Sequence, residues 1–248
     1  MNNNTKIVIP MAGLSSRFTK AGYKIPKYML EAKGKTVFEL SLLSFEKYFR
    51  LCEFLFICLD VFETPKFIHD KCKKLGIFNY KVVILETATK GQAETVIKGI
   101  NAIEESFETG LLIFNIDTFR LGYTFPDDFN LDEIDGYLET FIGSGKNWSN
   151  VLPYDKTENK VKLTAEKREI SEFCCTGLYY WGSCSLFVNA FNEMKQTPLE
   201  KLDAQEYYIA PMYNYIIKAG ADVRFTVIPR EQIVFCGTPS EYMQVLES

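Results

Sequence analysis

The chain has 248 residues, 47% of them hydrophobic, and a formal net charge of -4 from 28 basic and 32 acidic side chains. This length allows one large α/β domain or two small ones, and the hydrophobic content is sufficient for a sizeable core. Because the charges are mixed and form no basic stripe, the composition excludes a typical nucleic-acid-binding protein. No apolar run approaches the roughly 18 residues of a membrane helix and no signal segment precedes the first strand, so we expect a cytoplasmic protein with no membrane partner.

Residues for metal clusters and catalytic triads are scarce. The seven cysteines include no C-x-x-C pair and fit neither a zinc site nor a disulfide framework, so we interpret them as buried thiols. The single histidine, His69, lies in a helical-looking stretch with no triad or metal motif nearby. Histidine-based hydrolases and zinc enzymes are therefore disfavoured.

The first half of the chain alternates between strands and helices. Near-continuous apolar runs predict strands at 6–11, 53–60, 80–86 and 110–117, and a helical period predicts helices near 36–50, 64–75 and 91–106. Strands covered on both faces require such runs. A largely parallel central sheet flanked by helices follows.

The second half departs from this alternation. Three successive strands are predicted at 135–142, 159–166 and 173–181, followed by helices near 184–195 and 203–219, a strand in "DVRFTVIP" and a short closing helix. Antiparallel strands added to the parallel sheet would account for this order. Since we find no repeat, low-complexity tract or linker, we predict a single domain over 1–248.

The loop after the first strand is rich in small residues. Ligands of open α/β sheets bind at the carboxyl ends of the strands, and this loop is a usual place for phosphate. In "AGLSSR" (12–17), Gly13 lets the backbone approach an anion, the two serines offer hydroxyls or amides, and Arg17 offers a planar fork of donors. Lys27 can add a second positive charge. On the loop alone, an ordinary βα turn is an equal alternative.

Two common phosphate-binding motifs are absent from this loop. It matches neither G-x-G-x-x-G nor G-x-x-x-x-G-K-[ST]. A later stretch, "TFIGSGKN" (140–147), resembles the second motif, but Asn147 stands where Ser or Thr is required. We interpret that stretch as a hairpin turn.

"AGLSSRF" followed by "PKYML" resembles the signature of the nucleotidyltransferases that activate phosphorylated sugars and alcohols, the family of the sugar-1-phosphate and phosphocholine nucleotidylyltransferases. The resemblance continues along nearly the whole chain, in "KGQAETV", "FNID", "TAEKREISEFCCTGLYYW", "EYYIAPMYNYIIKAG" and "CGTPSEY". It implies a single Rossmann-like, GT-A-like α/β domain with a mixed, mostly parallel central sheet.

The resemblance also implies a reaction, in which a phosphate oxygen of one metabolite attacks the α-phosphorus of a nucleoside triphosphate and pyrophosphate leaves. An ionised phosphate is already a nucleophile, so positioning and charge neutralisation do most of the work. By resemblance, Arg17 takes the leaving pyrophosphate, Lys27 stabilises charge at the α-phosphate, and Asp117 binds Mg²⁺, although a turn-capping Asp is the alternative.

The remaining implied residues fall into two groups. The nucleotide-binding residues are Met11, Ala12, Gly13, Leu14, Ser15, Ser16, Gly91 and Gln92, and the acceptor-binding residues are Lys167, Gly177, Tyr179 and Glu206. Gln92 also fits a solvated first-turn helix residue, and Lys167 an exposed strand lysine. The aromatic group Tyr179, Tyr180, Trp181, Tyr207 and Tyr208 fits either an acceptor pocket or the core.

One position departs from the family pattern. The family commonly has a second metal-binding Asp two residues before the Gly of the late G-T-P turn, and here that residue is Phe235. Three explanations are open. Another carboxylate binds the metal, with Asp203 and Glu206 in the right region; Asp117 and phosphates bind it alone; or catalysis is impaired. A non-catalytic nucleotide-binding module stays an alternative, whereas a related glycosyltransferase would need a D-x-D motif that "NIDTF" lacks.

The compact length resembles the cytidylyl- and thymidylyltransferases of this family, and the N-terminal segment resembles most the capsule-pathway enzymes that use CTP, including those that act on phosphoglutamine. The resemblance therefore implies CTP and a phosphorylated metabolite as partners in capsule or surface polysaccharide biosynthesis. Since no identified residue recognises glutamine, a sugar 1-phosphate or phosphocholine acceptor stays open. The sequence does not indicate an oligomeric state.

Overall fold

The computed structural model describes residues 5–154 and 159–248. The cytoplasmic location was predicted partly from residues 1–4, which lead into the first strand. These four residues lie outside the described residues. The strands are β1 (Thr5–Met11), β2 (Glu31–Ala32), β3 (Lys35–Thr36), β4 (Glu53–Leu59), β5 (Tyr80–Leu85), β6 (Gly110–Phe114), β7 (Thr118–Arg120), β8 (Gly136–Ile142), β9 (Ser149–Pro153), β10 (Val161–Glu166), β11 (Phe173–Trp181), β12 (Val223–Ile228) and β13 (Ile233–Phe235). The α-helices are α1 (Ser16–Lys20), α2 (Val37–Leu42), α3 (Thr64–Leu75), α4 (Gln92–Ala102), α5 (Cys184–Met194), α6 (Tyr213–Lys218) and α7 (Pro239–Glu247). Within the described ranges, no helix combines the length and apolar character needed to cross a bilayer.

A nine-stranded sheet organises the molecule, with β10, β9, β11, β6, β1, β4 and β5 in that order. β8 also pairs with β11, and β12 pairs with β8. β1 pairs in parallel with β4 and β6, β4 with β5, and β12 with β8. β11 is antiparallel to β6, β8 and β9, and β10 is antiparallel to β9. Among the described strands of this sheet, β10 and β11 thus run against all the others, which confirms the mixed, mostly parallel sheet.

Both faces of the central strands are covered. Adjacent residues of β1, Ile7 and Val8, are fully buried in different parts of the core. Val8 belongs to the side covered by α4 and α5, and Ile7 to the side covered by α2 and α3. Burial on both faces explains why these strands are continuously apolar rather than alternating.

The connection after β8 differs from the prediction. β8 and β9 pair with opposite edges of β11, because Phe173 lies between Ile142 of β8 and Val151 of β9. The predicted hairpin turn at 140–147 is therefore wrong: the chain crosses from one edge of β11 to the other. This crossing delivers the residues that follow it to the cavity described below.

The region predicted as a helix over 203–219 is helical mainly at its end. Short 3-10 turns at Asp203–Gln205 and Ala210–Met212 precede α6. Ala204 and Gln205 have φ values of 54° and 56°, in the left-handed region that an α-helix does not use. The predicted helix is shortened accordingly.

Candidate active site

A cavity of about 560 Å³ opens at the carboxyl ends of β1 and β6 and extends to β11. Parallel strands bring the loops that follow them to one edge of the sheet, which is the usual ligand edge of such folds. Nine of the residues predicted to be catalytic or to bind nucleotide, acceptor or metal line this cavity: Ser15, Ser16, Arg17, Lys27, Gln92, Asp117, Lys167, Gly177 and Tyr179.

The loop after β1 folds back on itself. Ser15, with a left-handed φ of 50°, precedes α1, and its hydroxyl accepts a hydrogen bond of 3.3 Å from the backbone N–H of Lys27. Arg17 and Lys27 consequently line the same cavity. Five of the predicted nucleotide-binding residues are not in its lining: the buried Met11 and Ala12, the exposed Gly13 and Leu14, and Gly91.

Lys27 forms an ion pair with Asp117, the residue predicted to bind metal. The Lys27 Nζ contacts Asp117 Oδ2, and the two side chains are 23% and 19% exposed. The backbone of Asp117 is held by the late G-T-P turn, since its carbonyl accepts a 2.8 Å hydrogen bond from the Cys236 N–H. A β-carbon at Gly237 would lie 2.9 Å from Asp117 Oδ2, so this glycine makes room for the carboxylate.

Phe235 belongs to an aromatic wall of the cavity. Its ring centroid lies 4.4 Å from that of Trp148 and 5.4 Å from that of Phe141, and the Arg230 guanidinium lies 5.0 Å from its centroid. The position at which the family commonly has a carboxylate is therefore filled by packed aromatic and cationic groups.

Neither of the alternative carboxylates suggested by the sequence lines the cavity. Asp203 Oδ2 instead accepts a 3.1 Å hydrogen bond from the backbone N–H of Glu166, and Glu206 is exposed. A carboxylate that the sequence did not suggest, Glu241, does line the cavity, and its Oε2 accepts hydrogen bonds of 2.9 Å from the N–H groups of Gly237 and Thr238. In the part of the chain that the structure describes, no three His, Cys, Asp or Glu side chains converge as metal ligands.

Asn115 connects a predicted nucleotide-binding residue, Gln92, to a predicted acceptor-binding residue, Gly177. Its Oδ1 accepts a 2.5 Å hydrogen bond from Gln92 Nε2, and its backbone N–H donates to the carbonyl of Gly177 at 3.1 Å. Gly177 lies in a register shift of β11, with a φ of +93°, and a β-carbon there would lie 2.5 Å from Asn115 Nδ2. Both backbone conformation and space thus require glycine at this position.

A lysine and a buried carboxyl group, from adjacent residues, also line the cavity. Lys167 has a left-handed φ of 51°. Its Nζ donates a hydrogen bond of 2.5 Å to the Tyr208 hydroxyl, and the same atom lies 4.5 Å from the centroid of the Tyr208 ring. Glu166 is 6% exposed and accepts a hydrogen bond from Ser149 Oγ, which is 3.3 Å from the Tyr179 hydroxyl. Burial raises the pKa of Glu166 to about 7, although the Ser149 hydroxyl and Lys167 act in the opposite direction.

A second ion pair lies beneath the cavity. Arg120 Nε donates to both oxygens of Glu139 at 2.9 Å, and Thr176 Oγ1 donates to Glu139 Oε1 at 3.2 Å. The Arg120 side chain is 7% exposed and the Glu139 side chain is 1% exposed. The Arg120–Glu139 pair joins β7, which follows Asp117, to β8. Thr176, which donates to Glu139, also lines the cavity.

Several cavity residues were not identified from the sequence: Phe18, Asn115, Thr118, Trp148, Ser149, Cys175, Thr176, Thr238 and Glu241. Asn115 carried a usable signal, because a polar residue directly after a buried strand is expected at the ligand edge. Trp148 and Ser149 depended on the chain crossing after β8. Of the aromatic group, Tyr179 and Tyr208 line the cavity, Tyr180 and Trp181 are fully buried in the core, and Tyr207 packs on Phe191.

No protein-family model and no curated protein matches the chain. Among solved structures, a nucleoside-diphosphate-sugar pyrophosphorylase from Vibrio cholerae RC9 is 44% identical, with a TM-score of 0.92 over 98% of this chain and 100% of that chain. An inositol-1-phosphate CTP transferase from T. maritima is 14% identical, with a TM-score of 0.73 over 98% of this chain and 95% of that one. A UDP-glucose pyrophosphorylase is 14% identical, with a TM-score of 0.70 over 98% and 97% of the two chains.

The two distant matches establish a shared fold. The first match, at 44% identity over its full length, shows the family as well as the fold. The chain belongs to the nucleotidyltransferase family, which confirms the family resemblance found in its sequence.

Proposed function

We propose that the protein is a cytidylyltransferase that couples CTP to a phosphorylated small metabolite, with Mg²⁺ as cofactor and release of pyrophosphate, in capsule or surface polysaccharide biosynthesis. The observation that carries the transferase activity is the convergence of Arg17, Lys27 and Asp117 on one cavity at the ligand edge of the sheet. CTP as the nucleotide is supported by the motif resemblance of the N-terminal segment.

Asp117 fits a Mg²⁺ ligand. Mg²⁺ in phosphoryl-transfer sites is commonly bound by one or two carboxylates plus substrate phosphates, and Asp117 presents a partly exposed carboxylate to the cavity. Since the described residues offer no cluster of three His, Cys, Asp or Glu side chains, a Mg²⁺ bound at Asp117 would draw further ligands from phosphate oxygens and water. A bound Mg²⁺ would neutralise phosphate charge and polarise the α-phosphate.

The side chains of this protein position and neutralise the reactants. Arg17 binds the departing pyrophosphate, Lys27 stabilises charge that builds up on the α-phosphate, and Lys167 holds the acceptor phosphate from the opposite side. A phosphate oxygen of the acceptor forms the new bond to the α-phosphorus while the bond from that phosphorus to the bridging oxygen of the β-phosphate breaks. The electron pair of the broken bond leaves with pyrophosphate, so no side chain has to remove a proton.

Two acceptor classes have specific support. The motif resemblance favours phosphoglutamine, which would give CDP-glutamine. The name of the relative from Vibrio cholerae favours a sugar 1-phosphate, since that protein is described as a nucleoside-diphosphate-sugar pyrophosphorylase. Phosphocholine remains in the comparison because the family includes enzymes that use it.

The decisive experiment is pyrophosphate release with Mg²⁺ across CTP, UTP, dTTP, ATP and GTP, each combined with L-glutamine phosphate, glucose 1-phosphate and phosphocholine. We expect activity with CTP and one acceptor, and loss of that activity in Asp117→Asn. Activity with another nucleotide alone would overturn the cytidylyl assignment. If no pair releases pyrophosphate but CTP binds tightly, the protein is better explained as a non-catalytic nucleotide-binding module. Phe235, at the position where the family commonly has a metal-binding Asp, supports that alternative.

A further inference from the structure

The carboxylate proposed to bind Mg²⁺ is already engaged by a lysine. Lys27 Nζ contacts Asp117 Oδ2, the same oxygen against which Gly237 is packed. The backbones of both residues are held in place, by the Ser15 hydroxyl for Lys27 and by the Cys236 N–H for Asp117. The contact can therefore be broken by rotation of the lysine side chain alone, without a change in the fold.

The setting of this ion pair differs from that of the structural pair beneath it. Arg120 and Glu139 are almost completely buried and share two hydrogen bonds. Lys27 and Asp117 are 23% and 19% exposed, both line the cavity, and a single contact joins them. A flexible ammonium group on a partly open carboxylate is easily exchanged for another cation, whereas a buried two-bond guanidinium pair is not.

A divalent cation and the Lys27 ammonium group would compete for Asp117, because like charges that share one oxygen repel each other strongly at partial burial. We infer that the Lys27–Asp117 pair is a latch, which keeps Asp117 occupied in the free protein and releases Lys27 toward the phosphates only when metal and nucleotide bind together. This inference rests on the proposed role of Asp117 as a metal ligand.

The latch makes metal binding and nucleotide binding depend on each other. A metal ion alone has to displace Lys27 with no phosphate to receive it, and a nucleotide alone has to draw Lys27 away and leave the Asp117 carboxylate facing the triphosphate. When both bind, the ammonium group gains a phosphate partner and the carboxylate gains a cation. The free protein should therefore bind a divalent cation weakly.

The test measures Mn²⁺ binding to the nucleotide-free protein by electron paramagnetic resonance. Lys27→Met, which removes the ammonium group but keeps an unbranched side chain, should bind Mn²⁺ at least about tenfold more tightly than the wild type. Arg17→Met is the matched control, since Arg17 lines the same cavity but none of the ion pairs among the described residues joins it to Asp117. Its Mn²⁺ affinity should stay within about twofold of the wild type, as expected for a screened, more distant charge.

The outcomes separate the latch from the proposed function. The gain in Lys27→Met should disappear in the double variant with Asp117→Asn, and Lys27→Gln should reproduce it if Lys27→Met folds poorly. The latch is refuted if Lys27→Met binds Mn²⁺ no better than Arg17→Met, or if the gain persists in the double variant. If Asp117→Asn leaves Mn²⁺ binding in the presence of CTP unchanged, the metal role of Asp117 is wrong, which is a separate failure of the proposed function.

Discussion

At the scale of single residues, the position of Asp117 depends on the absence of a side chain. Gly237 packs against its carboxylate, and the sequence motif identified this glycine only as part of a turn. Asp117 is a short side chain whose backbone is fixed, so the carboxylate has little room to move away from a new methyl group.

We expect Gly237→Ala to lower turnover by at least about tenfold, because the methyl group would lie 2.9 Å from Asp117 Oδ2 and displace it from its position. The midpoint of urea unfolding should change little, since the displaced atom is one partly exposed carboxylate oxygen. Pyrophosphate release and equilibrium unfolding measure the two effects. A variant with wild-type turnover would show that the carboxylate does not need this position.

Glu166 gives stability an unusual dependence on pH. Burial raises its pKa to about 7, so the folded protein holds this proton more tightly than the unfolded chain does between the ordinary carboxyl pKa and pH 7. The folded state therefore loses stability as the pH rises through that range. The loss is on the order of 3 kcal/mol, because the pKa of about 7 in the folded protein lies well above the ordinary carboxyl value.

We expect the stability of Glu166→Gln to fall less than that of the wild type as the pH rises from 4.5 to 7.5, because glutamine does not ionise. Urea unfolding of wild type and variant at pH 4.5, 6 and 7.5 gives the difference directly. The exposed Glu172→Gln serves as control and should leave the slope of stability against pH unchanged. Parallel curves for wild type and Glu166→Gln would contradict the raised pKa.

Several site residues were predictable because their signal is local. Arg17, Lys27, Gln92 and Asp117 follow strands or open a helix in a motif of fixed spacing, and the structure brings them to one cavity. Glu206 was named for its place in the sequence, but it is exposed and outside the lining, because the chain turns away at the left-handed residues before it. The side chains contributed by other strands, such as Ser149, could be found only from the tertiary arrangement.

At the scale of elements, the first turn of α2 illustrates how helices are anchored around the sheet. Thr36 and Glu39 form a capping box, and the Glu39 carboxylate, 1% exposed, also pairs with Lys71 and Lys74 of α3 at 2.9 and 2.7 Å. Burial alone would raise the pKa of Glu39, but hydrogen bonds from Lys74, Thr36 and Lys71 outweigh it and lower the pKa to about 2.

We expect Glu39→Gln to destabilise the protein above pH 4.5, where the wild-type carboxylate is charged in both folded and unfolded states. A lowered pKa contributes stability at those pH values, and the contribution is lost as the pH falls toward 2. The shift is worth roughly 3 kcal/mol at most. Urea unfolding at pH 7 and pH 3 tests this, with the exposed Glu46→Gln as control. A destabilisation that is equal at both pH values would indicate lost packing rather than lost charge.

Prediction of the elements succeeded where the apolar pattern was long and failed where it was short. β1, β4 and β6 are buried on both faces and are predicted from their apolar runs. β9, with five residues and a polar start, carries no such run and was missed. Its omission also led to the incorrect hairpin, because pairing partners are set by strands that are distant in sequence.

At the scale of the whole molecule, the two halves of the protein meet at the first turn of α4. The Tyr207 N–H donates to the Lys90 carbonyl at 2.8 Å, and the Ala93 N–H donates to the Tyr207 carbonyl at 2.9 Å. Gly91 lies between them with a φ of +135°, and a β-carbon there would lie 2.5 Å from the Tyr207 nitrogen. The glycine of the "KGQAETV" motif, selected from the sequence as a nucleotide-binding residue, thus also has a structural requirement that joins the halves.

We expect Gly91→Ala to lower the free energy of unfolding by about 2 kcal/mol or more beyond the cost of Gly220→Ala. Gly220 has a φ of +94° but no neighbour within 4 Å of an added β-carbon, so it shares the backbone strain without the collision. The collision at Gly91 is with backbone atoms, which cannot swing aside as a side chain can, and relief would have to separate Tyr207 from α4. Because Tyr208 contacts Lys167, the proposed ligand of the acceptor phosphate, that separation should also raise the KM for the acceptor. Urea unfolding and acceptor titrations of the two variants measure both effects; equal losses of stability would mean that the close contact contributes nothing beyond strain.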